Sequence, residues 1–132
     1  MKPVITFKVK DIFSGKVGGS GIYVFRDGKT VLYIGKAEQD LYARLMKHLG
    51  RYGEQSRIGQ LIQVNSPESH EWSIDVYWNE HLSQLEFDLI QKLTPALNEQ
   101  MNGKPHRLPS KYKTEITNKR FNAAKAVAAR IK

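Results

Sequence analysis

The stretch Gly21-Ile22-Tyr23-Val24-Phe25-Arg26-Asp27-Gly28-Lys29-Thr30-Val31-Leu32-Tyr33-Ile34-Gly35 decides the fold. Apolar and aromatic residues flank Asp27-Gly28, which is a strong short-range signal for a β-hairpin. The turn sets Tyr23 and Tyr33 on neighbouring antiparallel strands. Taken alone, two tyrosines in a hairpin reflect only the strand preference of aromatic residues.

Upstream, Ile5, Phe7 and Val9 alternate with Thr6, Lys8 and Lys10, which predicts a half-buried strand over residues 4–10. A glycine-rich loop, Gly18-Gly19-Ser20-Gly21, leads into the hairpin. It lacks the Lys-Ser/Thr ending of a nucleotide P-loop and does not follow the dinucleotide fingerprint, so it is no phosphate cradle. Downstream, Asp40 is an N-cap and Gly50 a stop for a helix whose stripe is Leu41, Leu45 and Leu49. Arg44 and His48 lie four positions apart on the edge of that stripe, so they share a face. That face begins near the end of the second hairpin strand. A second helix is predicted over about residues 55–63, with Ile58, Leu61 and Ile62 inward. Trp72, Ile74, Val76 and Trp78 alternate with Ser73, Asp75 and Tyr77 as a third main strand.

The helix expected over about residues 81–93 carries Leu82, Leu85, Leu89, Leu93 and Ile90 on its apolar side. Glu86 falls inside that stripe on the helical wheel. A carboxylate withdrawn from water is costly without a partner, so it calls for a cation, a metal or a hydrogen-bond donor. A structural ion pair with a nearby Arg or Lys answers equally well. Asp88 points elsewhere and reads as a surface acid. Thr94-Pro95 ends the helix. Residues 102–113 read as loop, and residues 117–131 as a basic helix with Phe121, Ala124, Ala128 and Ile131 on one narrow face.

Length and composition suit one ordinary globular domain of 132 residues. There is no cysteine, which excludes disulfides and thiolate metal sites. No apolar run approaches a membrane span or a signal peptide, which predicts no membrane partner and a cytoplasmic location. The net charge is +8, and it is uneven. Residues 1–102 hold twelve basic and twelve acidic side chains, whereas residues 103–132 hold nine basic ones and a single acid, Glu115. A neutral body with a basic extension points to a polyanionic partner, most simply nucleic acid, against the plainer reading of a solvated basic tail. His70, His81 and His106 show no metal-ligand spacing with one another.

The ordered set Gly21-Ile22-Tyr23, Tyr33-Ile34-Gly35, Arg44, Glu86 and Pro95-Ala96-Leu97-Asn98 resembles the GIY-YIG nuclease superfamily over roughly residues 20–100. Tyr33-Ile34-Gly35-Lys36-Ala37 is especially similar to the branch holding the bacterial excision-repair incision subunit. The linker from Gly35 to Arg44 is about one residue longer than in that branch. The resemblance implies an α/β (α+β) domain with a small three-stranded antiparallel sheet flanked by helices, here with an extra N-terminal strand and the basic C-terminal helix. The chain divides into a nuclease domain over residues 1–102 and an extension over residues 103–132, which lies outside the family pattern and is expected to contact nucleic acid because of its basic charge. The resemblance implies a DNA endonuclease using one Mg²⁺ or Mn²⁺ ion, with Glu86 as the metal ligand. Tyr23 would act on the attacking water, with Tyr33 beside it and Arg44 on the scissile phosphate. Lys36 would assist Tyr23 or contact phosphate. His48 matches a histidine of some members, and Asn98 would position the site or contact DNA. A free tyrosine titrates near pH ~10, so a base role for Tyr23 requires cations or metal to lower its pKa, with Lys36 and Arg44 as candidates.

The expected partner is DNA, with RNA left open, and a homodimer or larger complex is one source of specificity. Lys104, Arg107, Lys111, Lys113, Lys119 and Arg120 are the candidate backbone contacts. Two other functions compete. One is a non-catalytic nucleic-acid-binding module on the same fold, relying on the basic segment. The other is a protein-interaction subunit that pairs through its C-terminal helix.

Overall fold

A computed structural model describes residues 2–12, 18–50 and 56–114. Its sheet has four antiparallel strands, β1 (Ile5–Lys8), β2 (Gly21–Asp27), β3 (Thr30–Ala37) and β4 (Ser73–Tyr77), in the spatial order β1-β4-β2-β3. Helices α1 (Leu41–His48) and α2 (Arg57–Val64) cover one face, and α3 (Leu82–Leu93) covers the other. The N-terminal strand expected as an extra pairs with β4 at the sheet edge, raising three strands to four. It is shorter than the alternation suggests. The chain leaves the sheet at Val9 for a 3-10 turn, and Ile5 stays 48% exposed at the edge. The expected C-terminal helix, with Lys119 and Arg120, lies outside the described residues.

The hairpin turns at Gly28-Lys29 with Gly28 at φ +58°. A positive φ at the first central position alone is the demand of a type II′ turn, which glycine meets without steric cost. A bulge between Phe25 and Arg26 adjusts the register. Tyr23 then pairs with Gly35 across the ladder. The Tyr23 ring lies over that glycine: a Cβ built on Gly35 would sit 2.3 Å from Cζ and Oη of Tyr23. Gly35 is therefore the space that the buried tyrosine occupies.

Both sheet faces are apolar because both are covered. Tyr23, Phe25, Ile74 and Val76 pack with Leu41, Leu45, Met46, Leu49, Ile58 and Ile62. Ile22, Val24 and Ile34 pack with Leu85, Leu89 and Ile90 on the opposite face. Leu82 and Leu93 are only partly buried, so the stripe of α3 is narrower than its leucines suggest. Asp75 belongs to the face read as polar, yet it is 5% exposed. It accepts from Arg26 Nε at 2.6 Å and from Thr6 Oγ1 at 2.6 Å. This pairing is the condition for burying a carboxylate. Trp78, expected on the apolar face, is 50% exposed beyond the end of β4.

Three features aim α1 at the hairpin. The Asp40 side chain caps it by accepting from the Ala43 N–H at 3.1 Å. The Leu41 N–H donates to the Gly19 carbonyl at 3.0 Å, tying its first turn to the loop before β2. Gly50 ends it at φ +88°. Past α3, the chain runs alongside the outer edge of β3 in the same direction, without forming a strand. Leu97 N–H donates to the Leu32 carbonyl at 2.9 Å, and Asn98 uses its side-chain amide as a further rung. Residues 103–114 stay seated on the body, with Leu108 packed on the core and Tyr112 edge-on to Trp72.

Gly35→Ala is expected to destabilise the fold by about 1–3 kcal/mol, the cost of overpacking a filled core. Urea unfolding followed by circular dichroism measures this. A cost near zero would show that the Tyr23 ring has room that the structure does not provide.

Candidate active site

A cleft of about 430 Å³ opens beside β3, lined by Tyr33, Arg44, Ser56, Arg57, Glu86 and the segment 97–101 among others. β3 supplies Tyr33, α1 supplies Arg44, α2 supplies Arg57, and α3 supplies Glu86. Arg44 faces the hairpin. Its Nε–H donates to Tyr23 Oη at 3.4 Å.

Behind Arg44 lies a buried chain of polar contacts. Tyr23 is fully buried, and its Oη is 2.6 Å from His48 Nε2. His48 Nδ1 is 2.7 Å from Ser56 Oγ. A guanidinium can only donate, so Tyr23 Oη accepts from Arg44. The His48 tautomer that gives the buried phenol proton a partner is the one in which Tyr23 Oη donates to Nε2. His48 Nε2 is then the acceptor of a neutral ring, and the ring proton sits on Nδ1, donated to Ser56 Oγ. Burial, with the charges of Arg44 and Lys47 behind it, lowers the His48 pKa to about 4, which keeps the ring neutral. The rings of Tyr33 and His48 also meet edge-on, with centroids 5.3 Å apart.

The same burial acts against the expectation that cations depress the Tyr23 pKa. Burial pushes the phenol up strongly, and the Arg44 hydrogen bond opposes this without winning. Lys36 is not the cation at Tyr23. Its Nζ donates to Ser83 Oγ at 2.9 Å and lies 3.1 Å from Glu38, and its charge bears on Glu86.

Glu86 is half-buried on the cleft wall. Burial raises its pKa, while Lys36 and Arg44 pull the other way. Neither closes an ion pair with it among the described residues, so its carboxylate keeps its lone pairs for another cation. No cluster of three or more His, Asp or Glu able to hold a metal occurs among the described residues. A hard oxygen donor with open surroundings fits a Mg²⁺-like ion that takes its remaining ligands from water and phosphate.

Asn98 is 8% exposed, and both ends of its amide are committed to Ile34: Oδ1 accepts from the Ile34 N–H at 2.8 Å, and Nδ2 donates to the Ile34 carbonyl at 2.9 Å. It caps the open edge of β3, the strand that carries Tyr33, and stands on the cleft wall. Lys104, Arg107, Lys111 and Lys113 are exposed, and none lines the cleft. Lys111 pairs with Asp27 at 3.3 Å, beside the hairpin turn. Ser56, Arg57 and Glu99 did not stand out in the sequence. Ser56 carried a usable signal, since a serine before the apolar series Ile58, Leu61, Ile62 is an N-cap. Its side chain accepts from Gly59 N–H in that role.

Residues 19–99 match the UvrC-like GIY-YIG domain family. Over 93 residues the chain is 33% identical to the UvrABC system protein C of Aquifex aeolicus (strain VF5), a match covering 70% of this chain. The matched stretch is 16% of that protein's length. No solved structure matches the chain. The family match spans the hairpin, α1, α3 and Asn98, the elements that build the cleft, and the chain belongs to the UvrC-like branch of the GIY-YIG nuclease superfamily.

Proposed function

We propose that the chain is a divalent-metal-dependent DNA endonuclease of the excision-repair kind. The observation that carries this reading is the convergence of Arg44, Tyr33 and the half-buried Glu86 on one cleft, with Tyr23 and His48 hydrogen-bonded behind Arg44. Phosphodiester hydrolysis needs an activated water, a clamp on the phosphate and stabilisation of the charge that develops. Glu86 would hold Mg²⁺ or Mn²⁺, which supplies Lewis-acid stabilisation of the leaving oxygen when bound.

The remaining work falls to the chain's own groups. The planar fork of Arg44 suits a phosphate, and Arg44 is exposed at the cleft wall. Its Nε–H leaves Tyr23 Oη as it turns to the substrate, which opens that oxygen to water. A phenol with a raised pKa is a poor base by itself. His48 offers a neutral ring as the next acceptor, and a metal held by Glu86 would make the water more acidic: as water gives its proton to Tyr23 Oη, the tyrosine proton passes to His48 Nε2, and the hydroxide attacks phosphorus. Ser56 then stabilises the doubly protonated ring by accepting from Nδ1. Tyr33 walls the water site. The basic segment, including Lys104 and Arg107, offers further backbone contacts away from the cleft.

Incubation with supercoiled plasmid and Mg²⁺ or Mn²⁺ tests this reading. Wild type is expected to nick, whereas Glu86→Gln is expected to lose nicking by at least about 10²-fold and to lose Mn²⁺ binding seen as quenching of the free-ion EPR signal. Equal nicking by both proteins would refute the assignment of Glu86, and no nicking by wild type with either metal would refute the activity.

His48 gives a second expectation. Its pKa is about 4 in the fold and about 6.5 in the unfolded chain. Between these values the unfolded state binds the extra proton. The stability due to the neutral ring is therefore complete above about pH 6.5 and is lost as the pH falls toward 4. The stability gap between wild type and His48→Gln should narrow by on the order of 3 kcal/mol between pH 7 and pH 4 in urea titrations. A gap independent of pH would show that folding leaves the His48 pKa at its unfolded value and would contradict a buried neutral ring.

A further inference from the structure

The cleft is nearly balanced in charge. Its wall carries two guanidiniums, Arg44 and Arg57, and two carboxylates, Glu86 and Glu99. A polyanion gains little from such a surface until the carboxylates are countered or moved. Glu86 is the carboxylate assigned to a cation. Glu99 is engaged differently: its Oε1 accepts from Arg57 NH1 at 2.5 Å, across the mouth of the cleft between α2 and the segment after α3.

We propose that Arg57 is a second phosphate-binding residue of the cleft, and that Glu99 is an internal stand-in for that phosphate, released when a nucleic-acid strand enters. This inference rests on the nuclease reading and names substrate contacts that reading leaves open.

The physical case begins with exposure. The side chains of Arg57 and Glu99 are 57% and 80% exposed. An ion pair this wet contributes about 0–1 kcal/mol, so exchanging one anion for another costs little. A phosphate diester offers two oxygens to the guanidinium fork, a stronger match than the single contact Glu99 makes. Glu99 can release Arg57 by rotating its own exposed side chain, while Asn98 keeps the backbone of the segment on β3. Met101 lines the cleft and is 42% exposed beside Glu99.

Position supplies the rest. Arg57 stands in the first turn of α2, directly after Ser56, which holds His48. It shares the cleft with Arg44 from the opposite side. Arg44 also borders a second groove, whose lysines Lys36 and Lys47 stand with the carboxylates Glu38 and Asp40. A strand whose scissile phosphate rests on Arg44 and that follows the Glu86 cleft meets Arg57 as its next cation. Lys111 and Lys113 border a different cavity, beside the hairpin turn and Trp72. Among the described residues, Arg57 is the cation besides Arg44 on the wall of the cleft that holds Glu86.

Fluorescence anisotropy with a labelled 20-nucleotide DNA, single-stranded and duplex, tests the exchange. It is run in EDTA so that binding is read without cleavage, and thermal melts confirm that each variant folds. Arg57→Gln is expected to weaken binding roughly 5-fold and to flatten the salt slope by about one, with Arg57→Lys restoring part of the loss. Glu99→Gln is expected to tighten binding by roughly 3-fold, an effect that vanishes when Arg57→Gln is already present. If Glu99→Gln tightens binding equally in both backgrounds, it acts through general charge and the exchange is overturned. If wild type binds and nicks DNA while both single variants match it, the inference fails and the nuclease reading stands. If wild type neither binds nor nicks DNA, the nuclease reading fails and takes the inference with it.

Discussion

A buried tyrosine hydroxyl governs this structure. Tyr23 lies in the central part of the sheet with its ring over Gly35 and its hydroxyl between Arg44 and His48. A buried hydroxyl left without partners would cost about 1–3 kcal/mol, so α1 must deliver both partners together. The spacing of Arg44 and His48, one helical turn apart, does this only if α1 starts where it does. The Asp40 cap and the Gly19 carbonyl set that start.

The second constraint is an open sheet edge. β3 would present unpaired backbone groups to solvent, a liability in any sheet. The segment 96–98 covers part of it, and Asn98 serves as a one-residue strand. The cleft lies beside that cover. Its chemistry is therefore bounded by backbone hydrogen bonds on one side and by three helices on the others. This is the rigid setting that positioned side chains need.

Much of this was legible in the sequence for reasons that are local. The Asp27-Gly28 turn, the Asp40 cap and the Gly50 stop depend on backbone conformation, which a few residues decide. Glu86 stood out because a carboxylate among leucines contradicts its surroundings. Other features were hidden because they depend on non-local pairing. Asp75 looked like an outward residue, since alternation assumes a sheet with one wet face, and here both faces are covered. Nothing near Asp75 in sequence announces Arg26 and Thr6. The raised pKa of Tyr23 was also out of reach. Residue types suggest which cations are nearby, but only packing shows that burial outweighs them. Asn98 was legible as a residue of the site, but that it holds the edge of β3 through Ile34 was not, since that pairing is non-local. Arg57 and Glu99 carry no sequence signal at all, because their meeting is a product of the tertiary fold.

The hydrogen-bonded line from Arg44 through Tyr23 to His48 is the central claim, since the chemistry is assigned to it. Single-turnover cleavage by Tyr23→Phe, compared with wild type at saturating metal and matched thermal stability, tests it most directly. Removing that one oxygen leaves the ring over Gly35 and the packing intact. The account predicts a rate lower by about 10²–10⁴-fold, the usual share of a positioned acid–base group, with DNA affinity unchanged. Cleavage at the wild-type rate by a folded Tyr23→Phe protein would contradict it.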